Sequence, residues 1–255
     1  MILSRITEHF KEQNWFAVGL DFLIVVIGIL LAFQITEWAG ARSDRAREAQ
    51  IIGDLLADLD IDRGEYATAI TADEYRIGAA NASLVEAGLA SIEFDLQQLS
   101  TNIETRYSFD MSEIASFPAA RFDRLWTDVV IGFHPTPSTS TYDTMVGAGD
   151  IKLIRDRSIV REIQAYHNSA QAVLDQNDKL LSIRENVMYI GAPSGLAPYL
   201  KTPADEYFRL VSENPQLAAA IRILATFAIY HLGDVKTADA RAAELQIRLK
   251  EYVGH

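Results

Sequence analysis

Cysteine is absent from the 255 residues, which excludes a disulfide framework and thiolate metal sites and leaves the redox compartment open. Positive charge is also scarce: 23 Lys and Arg stand against 35 Asp and Glu, a formal net charge of −12. Residues 1–38 hold Arg5 and Lys11 against Glu8, Glu12, Asp21 and Glu37, so the remainder carries −10. That balance argues against nucleic acid as a partner and against a domain lying flat on anionic lipid. Signatures of common chemistry are missing as well. There is no G-x-S-x-G elbow, no phosphate-cradling G-x-x-x-x-G-K and no dinucleotide fingerprint. No two of His9, His134, His167, His231 and His255 stand at metal-ligand helical spacing. The sequence therefore nominates no catalytic residue, no cofactor and no metal ligand. No β-strand alternation and no internal repeat is found, so the expected fold class is all-α.

What the sequence does contain is Trp15–Trp38, WFAVGLDFLIVVIGILLAFQITEW, 24 residues with Asp21 and Glu37 as its only charges. A helix of this length spans ~36 Å, enough for a hydrocarbon core of about 30 Å. Trp15 and Trp38 fall where aromatic rings settle at the two headgroup levels. The stretch is read as one transmembrane helix in contact with membrane lipid. A signal peptide is the alternative, with Phe22–Phe33 as its apolar core and Ala39-Gly40-Ala41 as a small-x-small cleavage pattern. The spanning length and a helical pattern running through Ala41 favour a retained anchor. Asp21, ~9 Å along the axis from Trp15, is either a wet carboxylate at the membrane edge or a group that titrates or pairs with another subunit. Gly28 and Ala32 form a small-xxx-small pair that lets a second helix approach. Arg5 and Lys11 before the span, and Arg42, Arg45 and Arg47 after it, nearly balance. The expected orientation is N-terminus in, with the domain periplasmic.

Four segments follow from the patterning. Residues 1–14 are a short amphipathic lead-in (Ile2, Leu3, Ile6 and Phe10) and residues 15–38 the span. Residues 39–90 are a helical stalk, and residues 91–255 an α-helical domain. In the stalk, Ile52, Leu56, Leu59, Arg63, Tyr66, Ile70, Asp73, Ile77, Ala80 and Leu84 make a seam of period 3.5, interrupted by Arg63 and Asp73. Such a seam requires a partner helix, from this chain or from another copy. Asp54, Asp58 and Asp62 recur every four residues and read as a solvated face rather than a cation site.

Further along, short helical pieces are expected around Asp95–Ile103. Pro118 opens a helix running to about Ile131, and HPTPSTST (His134–Thr141) is a plain loop before a short helix, TYDTMVG. Asp156 caps a long helix over Arg157–Ile190 carrying Ile159, Ile163, Tyr166, Ala170, Val173, Asn177, Leu180, Arg184 and Val187 in four-three steps. A short helix is expected over Asp205–Ser212. Asn214-Pro215 starts another helix. Its apolar run Leu217–Leu232 reads as the central buried helix, stopped by Gly233, with Asp234 capping a last helix. His231 there reads as a satisfied core group.

VVIGILLAFQITEW (Val25–Trp38) followed by a charged helix resembles the N-terminal signature of an uncharacterised bacterial family of membrane-anchored helical proteins. TYDTMVGAGDIKLIRDRSIVREIQAYH (Thr141–His167) is a second similar stretch. The resemblance implies an anchor that is kept and a helical domain after it, and carries no activity. The expected protein is thus a single-pass subunit of the bacterial inner membrane that forms a homo-oligomer or docks on a larger membrane complex. The alternatives are an ion-coupled or sensory component using Asp21, or a tethered hydrolase or ligand-binding domain at the Thr141–Gly149 turn.

Overall fold

The computed structural model describes residues 15–93 and 110–254, the side chains of residues 15–17 excepted. The lead-in 1–14 and the pieces expected around Asp95–Ile103 lie outside the described residues. Every regular element among the described residues is helical: α1 (Trp15–Val85), α2 (Leu125–Val130), α3 (Ser140–Gly147), α4 (Arg157–Gly191), α5 (Ala204–Glu213) and α6 (Pro215–Val253), with short 3-10 turns between them. The chain divides after Gln50 into two compact units.

In the first unit α1 contains an 18-residue window long and apolar enough to cross a membrane, none of it buried within the protein. Its large side chains are bare, Phe22 at 71%, Phe33 at 65% and Trp38 at 65% exposure. α6 also holds an apolar stretch of spanning length, but 61% of it is buried. It is a core helix, as an apolar helix covered on most sides must be.

The second unit begins at Ile51, inside the stretch expected to be a stalk. From there α1 packs with α4 and α6 as three long helices. Tyr66 meets Tyr166, Arg63 meets Asp239 and Gln246, and Arg248 meets Ser158. With Asp73 meeting His231 and His231 meeting Asn177 further along, α1 and α4 run parallel and α6 antiparallel to both. Seam residues Ile52, Leu59, Tyr66, Ile77 and Leu84 are at most 1% exposed, while Leu56 and Ile70 are half-buried. The partner the seam requires is supplied by this chain.

Two apolar cores result. One joins Ile52 and Leu59 to Ile163, Val173, Val235 and Leu245; the other joins Ile77 and Leu84 to Trp126, Leu180, Ile221 and Leu232. Along all three helices the changeover falls at the same level: between Ala69 and Ile77, between Val173 and Leu180, and between Leu232 and Val235.

Helix starts follow their local chemistry. Asp156 accepts from Ser158 N, and Asn214 accepts from Gln216 N and Leu217 N ahead of Pro215. Three expectations are corrected. Gly233 does not stop a helix and Asp234 caps nothing, because α6 runs on to Val253. A helical glycine costs only ~1 kcal/mol, and Leu232, Asp234 and Val235 are buried around it. The segment after Pro118 is a 3-10 turn, Ala119–Arg124, before α2. Asp62 is not solvated; it is 1% exposed.

Candidate functional site

The level at which the two cores part is polar. Asp73 of α1 and His231 of α6, both fully buried, are joined from Oδ2 to Nδ1. The other oxygen, Oδ1, accepts from Nη1 of Arg76 at 3.3 Å, and Arg76 is 1% exposed. On the far side of the imidazole, His231 Nε2 lies 2.7 Å from Asn177 Oδ1. The Asn177 Nδ2 group donates to the Pro135 carbonyl at 2.7 Å, which fixes the amide's orientation, since a carbonyl only accepts. Both ring nitrogens of His231 thus face acceptor oxygens. One carboxylate serves both Arg76 and His231 in a buried layer, the setting in which removing either side is most costly.

The loop His134–Thr141 closes this layer from outside. Its Thr136 N–H donates to Glu65 Oε2 at 2.6 Å and its Ser138 N–H to Asp62 Oδ1 at 2.9 Å. Asp62 also accepts from Tyr166 Oη at 2.5 Å, with Tyr66 Oη 3.3 Å from Tyr166 Oη. Burial raises the Asp62 carboxyl above the usual range against these donors, and burial likewise raises Tyr66 and Tyr166. The expected plain loop is a strap held by carboxylates of α1.

His134 opens the strap and stands edge-on to His231, ring centres 5.9 Å apart. Burial, then the positive charges of Arg76, His231 and Arg184, lower it to about 4. A side-chain contact with Asn177 acts the other way, raising it. Arg76 Nε and Nη2 and Arg184 Nε have no hydrogen-bond partner among the described residues. Burial also lowers Arg76.

Asp21, Gly28, Ala32 and Trp38 are exposed on α1, nothing lies within 4 Å of a Cβ built on Gly28, and Arg42 stands 5.8 Å over the Trp38 ring. The side chain of Trp15 lies outside the described residues. At the Thr141–Gly149 turn, Tyr142 stacks on His167 at 3.9 Å beside a pocket lined by Asp58, Ser138 and Tyr166. Among the described residues no group of three His, Asp or Glu is placed to hold a metal ion.

Arg76 and the role of His134 escaped the sequence reading. The signal for the layer was a polar interruption in each apolar stripe: Asp73, Asn177 and His231. The pattern held no information that the three meet. Protein-family models, curated proteins and solved structures give no match to this chain.

Proposed function

We propose that the protein is a single-pass membrane subunit whose helical unit is held at the membrane by α1 and which docks through its span on a partner protein or a second copy. The observation that carries this reading is an apolar window of spanning length with none of its surface covered by the protein itself. The seam of α1 is already covered within the chain, so the span is left as the docking element, with Gly28 and Ala32 on one face for close helix approach. The resemblance of Val25–Trp38 to bacterial membrane-anchored proteins supports an anchor that is kept with a helical domain after it, and we set that anchor in the inner membrane with the helical unit in the periplasm. This reading assigns the chain no catalytic step.

Asp21 supports a second reading, in which the carboxylate titrates within a sensory or ion-coupled complex, since an ionisable group in an apolar span is costly to keep without a use. Native mass measurement of the gently extracted protein, with identification of what co-purifies, tests the first reading. A stoichiometric partner or a whole multiple of the chain is expected; a bare monomer contradicts it. Asp21→Asn separates the two, because docking through packing survives the change and ion coupling does not.

A further inference from the structure

The geometry points to a binding site for a small free oxyanion, a carboxylate or phosphate group, in the polar layer of the helical unit, with the Nε–Nη2 edge of Arg76 as its base and Arg184 and His134 at its rim. The inference is independent of the membrane reading.

Arginine binds carboxylates and phosphates best through two parallel N–H bonds from one edge of the guanidinium. In Arg76 the contact with Asp73 uses Nη1. Nε and Nη2, which form the complementary edge, have no acceptor among the described residues although the side chain is 1% exposed. Burying an arginine with this edge unused is expensive. Gly132 makes the position possible: a Cβ there would stand 1.6 Å from Nη2 and 2.3 Å from Cζ. Any side chain at residue 132 would displace the guanidinium.

The neighbours add donors and charge of one sign. Arg184 Nε is likewise buried without a partner among the described residues, while Gly132, His134 and Arg184 are each half-buried as residues. The layer is thus less deeply covered on that side than at Arg76. Within it, Asp73 is already shared by Arg76 and His231. Arg184 adds a further cation, and its charge acts on both Arg76 and His134. A cation is repelled from such a place, and a neutral ligand leaves the charge uncompensated. An oxyanion answers both the charge and the donor count, and only a small one reaches Arg76.

The test uses the full chain in detergent, with inorganic phosphate and acetate as separate probes at constant ionic strength. Calorimetric titration and thermal unfolding are followed for the wild type, Arg76→Lys and Arg184→Gln. Saturable binding is expected for at least one probe, with a matching rise in unfolding temperature. Arg76→Lys, which keeps the charge but loses the two-donor edge, is expected to weaken it by about tenfold or more. Arg184→Gln, at a half-exposed position, weakens it too and decides the matter should Arg76→Lys fail to fold. A response to phosphate alone assigns a phosphoryl group, and a response to acetate a carboxylate. Absence of saturable binding, or equal responses in the wild type and Arg184→Gln, overturns the proposal and leaves the layer to ordered water.

Discussion

Asp73 and His231 stand 158 positions apart in the chain and join where the two apolar cores of the helical unit part. The join carries a stability consequence. Removing the carboxylate leaves Arg76 buried without its counter-charge and His231 without its partner, so Asp73→Ala is expected to cost about 3–5 kcal/mol. Asp73→Asn combined with His231→Gln is expected to cost less than the sum of the two single changes, because the second removes a group the first has stranded. Denaturant unfolding of the full chain in detergent, followed by circular dichroism, checks both.

Glycines separate by what their missing Cβ would meet. Gly132→Ala drives a carbon into Arg76, and Gly191→Ala places one 2.4 Å from the Trp126 ring. Each is expected to destabilise by about 3 kcal/mol, the upper part of the overpacking range. Gly64→Ala, on an exposed helical face with nothing within 4 Å, is expected to stabilise by up to about 1 kcal/mol. The order of the three midpoints in thermal unfolding is the readout.

Acid stability divides between two groups of opposite sign. His134 titrates near 4 in the folded chain, below the ordinary ~6.5 of the unfolded one. Its stabilising contribution is complete above that ordinary value and is lost as the pH falls toward 4. After allowance for its partial exposure the swing is about 2 kcal/mol. Asp62 is raised in the folded chain, so its contribution is present at acid pH and is lost as the pH rises through the raised value. His134→Gln is therefore expected to flatten the loss of stability between pH 6.5 and pH 4, and Asp62→Asn to steepen it. Unfolding free energies across that window measure both slopes.

The strap gives a fourth expectation. Tyr166→Phe removes a donor to buried Asp62 and should cost about 1–3 kcal/mol. Tyr66→Phe removes only the longer 3.3 Å contact with Tyr166 and should cost less. Amide exchange at Ser138, whose N–H is held by Asp62, should quicken in the first variant and not in the second.

Local chemistry was legible in the chain and long-range pairing was not. The caps at Asp156 and Asn214 were readable because each acts on backbone within three residues. The seam from Ile52 to Leu84 was readable because periodicity records that a face is buried. It does not record what buries it, and α4 and α6 were the answer rather than another copy. Gly233 was misread as a stop because propensity is small beside the packing of Leu232 and Val235. Asp62 was misread as solvated because its partners, Ser138 and Tyr166, come from the strap and from α4. The orphaned edge of Arg76 depends on Gly132, 56 residues on, and no spacing rule connects them.

Alkaline extraction of membranes from cells making the full chain, followed by intact mass of the retained protein, tests the central claim most directly. The account predicts that the chain stays with the membrane at its full mass, held by a helix whose apolar window is uncovered. Release into the soluble fraction, or a chain shortened near Ala41, would contradict it.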